Sequence, residues 1–324
     1  MPAIRAQFPE LFQLGLEVQT QLALLDELTD MNYDEFPSVF ESIYKVSDGT
    51  GTGESNTAVG NYGLPQKQDG ELGGIHYDEH GKWFPQNYIF AEWNSGYIIS
   101  HQIQRDDRWG LAQHRAKSFG RSFRRLFEVL GARVFNEGFS LQTASDQNEG
   151  RRSPDGKALF ATDHPMPGPQ GGTQANKSAS GGADLAHPSL EAMIIRMGNR
   201  TDDRGMPVNI PLRTLLVPWE LEYRAREILH SQYRTDGGVN RVKNVLSDDG
   251  AIEIKASRFL TNKRAWFGIG PKSMTSLKWI WRERFTRLMW KDNESRAIHV
   301  GGWESFDFGW DSFYGLDGDA GLGG

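Results

Sequence analysis

Residues 46–72 are rich in Gly, Ser, Thr and Asn, and they separate two segments of opposite character, "VFESIYKV" before them and "PQNYIFAEWNSGYIISHQI" after them. The Ile, Val, Tyr and Phe content of both flanks predicts strands on either side of a glycine-rich tip, that is, one extended hairpin. A flank of roughly fifteen residues at about 3.3 Å each reaches on the order of 50 Å, farther than the radius of a compact domain of this size. Such an excursion leaves Tyr88, Ile89, Phe90, Trp93 and Tyr97 without cover in an isolated chain, so neighbouring copies are expected to complete their packing.

Downstream, Leu111, Phe119, Phe123, Leu126, Phe127, Leu130 and Val134 recur at helical spacing, with Asp106 and Asp107 placed to cap the start. The pattern predicts a helix over 106–136. Its other faces carry Arg108, Arg115, Lys117, Arg121, Arg124, Arg125 and Arg133, with no carboxylate between Asp107 and Glu128. Two readings stay open for these charges: a solvated helix face, or a surface for phosphates or an acidic partner.

Residues 1–44 read as short amphipathic pieces that lie on something else, from Phe8, Leu11, Phe12 and Leu14 through "LALLDELTD" to Phe36 and Phe40. Residues 141–188 are loop-like apart from "GKALFATDHP". Beyond Pro188 the signal turns to helices "SLEAMIIRMGN" and "WELEYRAREILHSQYR" alternating with strands "TLLVP", "AIEIKAS" and "RAWFGIG". Leu277, Trp279 and Trp281, followed by Phe285, Leu288 and Trp290, predict further strand.

The chain has 324 residues and no cysteine, which excludes disulfides, thiolate metal sites and cysteine nucleophiles. Its 37 Gly and mean hydropathy of -0.57 fit a core with long excursions. No stretch approaches the roughly 20 apolar residues that span a bilayer, and no membrane partner is expected. A net charge of -6 confines any attraction for nucleic acid to a local basic surface. The sequons at Asn176, Asn199 and Asn293 are read as chance matches.

His76, Glu79 and His80 spell H-x-x-E-H, a zinc-protease spacing that works when one helix face presents both histidines. Here Gly73, Gly74, Gly81 and Pro85 surround it, so the segment is read as part of a loop, with a zinc hydrolase as the unfavoured alternative. His164 and Asp163 are adjacent on an extended chain and point to opposite faces, which makes a turn the better reading of "ATDHP". No nucleophile elbow, phosphate loop or dinucleotide fingerprint is present, and neither a catalytic centre nor a cofactor is expected.

The segments "RAKSFGRSFRRLFEVLGARVFNEGF", "SPDGKALFATDHP", "PVNIPLRTLLVPWELEYRAREIL" and "FLTNKRAWFGIG", in that order and closing on "WDSFYGLDG", resemble the major capsid proteins of tailed phages with the Hong Kong 97 fold, in the branch of the phage Mu type major head subunit. The resemblance implies an α+β chain with an N-terminal arm at 1–44 and an extended loop at 45–104. It further implies a peripheral domain at 105–188 with its spine helix at 106–136, an axial domain at 189–274, a return to the peripheral domain at 275–304 and a C-terminal tail at 305–324.

By the same resemblance the chain self-assembles into hexamers and pentamers that form an icosahedral shell around a double-stranded DNA genome, assembled in the host cytoplasm. Scaffolding, portal and decoration proteins would be separate partners, and packaged DNA a non-specific one. Arg115, Arg121, Arg124 and Arg125 are the candidate basic surface toward a neighbouring subunit or DNA. Lys45, Lys67 and Lys82 lie in the loop region, and no motif selects one for crosslinking. A non-viral compartment shell of the same fold is the nearest alternative.

Overall fold

The computed structural model describes residues 16–34, 38–59, 62–65, 67, 75, 77, 82–106, 109–141, 153–166, 171–179, 181–233, 243–247 and 252–322. The longest helix is α3 (Trp109–Asn136), preceded by α1 (Leu16–Asp34) and a short α2 (His101–Arg105). The helical run therefore starts later than expected. Asp106 closes α2, where its backbone N–H donates to Gln102, and Asp107 lies outside the described residues.

Along one side of α3, Phe119, Phe123, Phe127, Leu130, Val134 and Phe135 are all buried. They cover a sheet ordered β1–β10–β11–β4, formed by β1 (Lys45–Asp48), β10 (Leu277–Lys291), β11 (Ile298–Trp310) and β4 (Ala91–Ile99). Trp279 of β10 is fully buried, with Phe127 4.0 Å away and Phe306 and Phe308 of β11 each at 4.6 Å between ring centroids. Burying aromatic side chains of this size contributes about 2–3 kcal/mol each, so this layer dominates the core.

Two register shifts in β10, between Trp281 and Thr286, add two residues against β11. Because side chains alternate along a strand, two extra residues restore the original phase. Met289 is thus buried, whereas Leu288 and Trp290 are exposed.

α1 is one continuous helix rather than short pieces, and its contact with α3 explains why. Leu22 and Leu25 are buried beside Ala112, Ala116 and Phe119. At Gly120 an added Cβ would collide with the backbone carbonyl of Thr29. Gly131 makes room in the same way for Phe40, whose ring would lie 2.8 Å from a Cβ there. Two glycines inside a helix are a cost to helix propensity that close backbone approach offsets.

The expected strand "VFESIYKV" is instead a 3-10 turn at Phe40–Ser42 that feeds β1. Glu128 of α3 is buried and accepts from the Ser38 hydroxyl at 2.5 Å and the Phe40 N–H at 3.3 Å, which holds the turn against the helix. Phe40 and Tyr44 then enter the core instead of a ladder.

A second sheet, ordered β12–β9–β7–β8, is built from β7 (Thr214–Pro218), β8 (Glu253–Ser257), β9 (Trp266–Ile269) and β12 (Leu316–Asp319). Strands β7 and β8 are parallel, and α5 (Glu222–His230) lies in the crossover between them. α4 (His187–Gly198) and α5 bury Leu190, Met193, Met197, Ile228 and Leu229 with Leu215, Val217 and Trp266. Phe135, Phe160 and Phe267 join the two sheets in one aromatic cluster.

The expected boundary at 304/305 falls inside β11. Phe306, Phe308 and Trp310 continue the buried alternation of that strand, so only the segment after it crosses to the second sheet as β12. Likewise the loop expected at 45–104 is divided. Strands β2 (Gly53–Val59) and β3 (Lys82–Ile89) pair antiparallel as a hairpin, while β4 leaves it to pair with β11. Strands of 7 and 8 residues span about 25 Å, and most of the segment that joins them, 60–81, lies outside the described residues.

Candidate functional site: the hairpin and the long helix

The hairpin is fixed at its base by side chains that sequence reading assigned to neighbouring copies. Tyr88 is 1% exposed, and its hydroxyl donates to Asp311 at 2.5 Å. Lys278 pairs with the other oxygen of Asp311 at 2.5 Å, and the Ile89 N–H donates to Asp307 at 2.7 Å. Trp93 stacks on Phe306 and Tyr97 meets Phe119 edge-on, because β4 is a strand of the main sheet. Of the five residues expected to lack cover, Ile89 alone is strongly exposed, at 49%.

Away from the base, β2 and β3 pair only with each other among the described residues. A two-stranded ribbon is marginal in water by itself, and its outer edges present unpaired backbone groups. His76, Glu79 and His80 lie outside the described residues. Among the described residues no group of three His, Asp or Glu side chains is placed to hold a metal ion.

The four candidate arginines of α3 do not act as one surface. The Arg115 guanidinium donates to the Ile98 carbonyl at 2.7 Å, tying the helix to the end of β4. Arg124 turns inward: it pairs with Glu41 and lies 5.5 Å from the ring centroids of both Tyr33 and Phe127. Arg121 and Arg125 are exposed and make no ion pair among the described residues. With His114 and Lys117, also exposed, they follow i, i+3, i+7 and i+11, one stripe along the helix.

The segment "SPDGKALFATDHP" forms a tight clip. Gly156 takes φ +75°, a left-handed turn that favours glycine, and Asp155 accepts from the Lys157 N–H at 3.1 Å. His164 is fully buried and stacks on Phe313 at 4.3 Å. Its Nδ1 lies 2.6 Å from Asp155 Oδ2 and its Nε2 3.1 Å from Asn176 Oδ1. Asp163 instead pairs with Lys157 on the surface, as expected for adjacent residues on opposite faces. Asn176 is fully buried, donates to the Leu159 carbonyl at 2.6 Å and accepts from the Ala161 N–H at 2.8 Å, a structural role that leaves no place for a glycan. With His164 and Asn176 fully buried and their polar atoms engaged, this cluster is a staple rather than a reactive centre.

Sequence reading also missed a buried ion cluster in the second sheet. Asp317 is fully buried and accepts from Arg196 Nε at 2.9 Å and Arg200 Nη2 at 2.7 Å. Burial pushes its carboxyl up from the ordinary range, against the pull of both arginines. Arg196 and Arg200 are four residues apart, but Asp317 lies 117 residues or more beyond them, so the cluster lacks a local signature.

Comparison with known proteins decides what this architecture is. The sequence profile of a family described as "Phage capsid protein" matches residues 90–316. The chain belongs to that family. Its profile covers α3, the clip, strands β4, β10 and β11 of the main sheet and β7, β8 and β9 of the second, and no curated protein matches the chain.

Among solved structures the capsid protein is similar to the capsid of Ralstonia phage GP4, at TM-score 0.54 and 10% identity over 85% of each chain. It is also similar to the capsid of the cyanophage P-SCSP1u, at TM-score 0.53 and 12% identity over 87% of each chain. A third likeness is to Mycobacterium phage Patience, at TM-score 0.51 and 12% identity over 92% of this chain and 86% of that one. At such identities the likeness is one of fold, an α+β fold of the Hong Kong 97 type. The family is one of shell components, and no helix among the described residues is long and apolar enough to cross a membrane.

Proposed function

We propose that this capsid protein assembles as hexamers and pentamers into an icosahedral shell around a double-stranded DNA phage genome, in the host cytoplasm, with scaffolding, portal and decoration proteins as separate partners. The quoted segments favour the branch of the phage Mu type head subunit. In this reading the sheet under α3 is the peripheral domain, the second sheet is the axial domain, and the β2–β3 hairpin is the extended loop.

The observation that carries the reading is the hairpin. It is anchored at Tyr88 and Asp311, yet among the described residues its two strands take no ladder partner but each other. A neighbouring subunit under it supplies the missing contacts. The stripe of Lys117, Arg121 and Arg125 is the surface we assign to an acidic neighbour in preference to DNA. Residues 67–80 contain Asp69, Glu71, Asp78 and Glu79 against a single Lys67, a charge that complements the stripe. Burial of a standard interface at about 25 cal/mol per Å² gives tens of kcal/mol before entropy costs, so individually weak contacts suffice.

Electron microscopy of the expressed protein tests this directly. Uniform shells or hexameric capsomers are the expected outcome, and a stable monomer at high concentration overturns it.

A further inference from the structure

Glu304 of β11 is fully buried, and among the described residues it is the one buried carboxyl group with neither oxygen hydrogen-bonded. Alternation along β11 turns residues 302, 304 and 306 toward α3. A Cβ at Gly302 would lie 2.9 Å from the rings of Phe119 and Phe285, and Phe306 packs on Trp93, Trp279 and Trp281. Glu304 sits between these two aromatic groups. A carboxylate there would be a bare charge in an apolar layer.

The charged and titratable groups around it come from four elements. From α3 comes Arg124, whose guanidinium is committed to Glu41 and to the Tyr33 and Phe127 rings. Glu128, on the same helix, is engaged with Ser38 and Phe40. From α1 comes Tyr33, stacked on Phe285 at 5.1 Å, and from the 3-10 turn comes Glu41. On β10, Arg287 lies over Phe285 but is paired with Asp26 and Asp30 of α1. Burial raises Glu304 to about 8, opposed by Arg124. Burial first and Glu304 second raise Tyr33 to about 12, which places the two side chains in one electrostatic neighbourhood.

We propose that Glu304 is a proton-gated latch for the N-terminal segment: docking of residues 16–44 keeps it dry and un-ionised, and its ionisation favours release of that segment together with the Arg124–Glu41 pair. The latch is a property of the single chain and stands apart from the assembly reading. A carboxyl held above its ordinary range binds its proton more tightly in the docked state than in the opened one. Docking is therefore strongest below the ordinary glutamate range, weakens as pH rises and is fully weakened above about 8.

The test is hydrogen exchange of the full chain across about pH 5.5 to 9, corrected for intrinsic exchange, at a concentration where its assembly state is constant. Protection over residues 19–44 is expected to fall about tenfold per pH unit up to about pH 7.5 and to level off above about 8.5. In Glu304→Gln the slope disappears, while residues 222–230 are unchanged in both proteins. A flat wild-type profile, or the same slope in Glu304→Gln, overturns the latch.

Should Glu304→Gln fail to fold, infrared spectra of the wild-type protein carrying 13C-labelled glutamate decide at about pH 6. A glutamic acid C=O band at the frequency of a group without hydrogen bonds is expected, distinct from that of hydrogen-bonded Glu128. Its absence overturns the proposal.

Discussion

The two sheets each bury a carboxylate completely, and they treat it in opposite ways. In the second sheet Asp317 receives Arg196 and Arg200, so the charge is matched where it is buried. In the main sheet Glu304 lies among rings, and the nearest guanidinium, that of Arg124, is given to Glu41 instead. The first arrangement locks α4 to β12 and to the end of the chain. The second leaves a group whose ionisation works against the packing above it, at the place where α1 and the 3-10 turn dock. A matched buried pair fixes a fold, while an unmatched acid makes part of it conditional on pH.

The strongest way to break this contrast is Asp317→Ala, which strands the buried Arg200 and the partly buried Arg196. A loss of about 3–5 kcal/mol is expected in denaturant unfolding. A loss below about 1 kcal/mol would mean that the pair is not what holds the second sheet. Trp279→Ala asks whether the main sheet rests on its aromatic layer rather than on charge, with an expected loss of about 3–5 kcal/mol and native-like secondary structure if the protein still folds.

Gly120→Ala probes the docking of α1 alone. The new Cβ meets the Thr29 carbonyl, and an overpacking cost of about 1–3 kcal/mol is expected, together with lost protection over residues 19–34. If protection there is unchanged, α1 is not seated on α3 as described. Glu304→Gln is expected to leave stability near pH 4 within about 1 kcal/mol of wild type and to raise it at pH 8, the reverse of what removing Asp317 does.

The smallest effect on the subunit comes from Arg121→Gln combined with Arg125→Gln. Both side chains are exposed, so folding stability should move by no more than about 0.5 kcal/mol, while assembly is impaired. Normal assembly with poor retention of DNA would move the stripe from a subunit contact to a DNA contact.

How far the sequence could be read followed from the range of each contact. The helix around Phe119, Phe123 and Phe127 was legible because its apolar period is local. The same holds for the strands at Thr214–Pro218 and Trp266–Ile269 and for β3 in the second aromatic segment, whereas β2 lies in the stretch read as the glycine-rich tip. The division of the expected hairpin was not legible, since β3 and β4 share one composition and only the pairing of β4 with β11 separates them. Among the arginines of α3, Arg121 and Arg124 look alike in sequence. What turns Arg124 inward is Glu41, 83 residues away.

The sequence by itself determined the long helix α3 and strands β7, β8 and β9, because periodicity and turn chemistry act over a few residues. It also carried the family resemblance, through segments short enough to read one at a time. Tertiary structure alone decided which buried charges are matched. Arg196 meets Asp317 across 121 residues, and Glu304 is left unmatched because the helix laid over it spends its nearby arginine elsewhere. Such outcomes depend on how whole layers are brought together, and no local pattern of residue types records them.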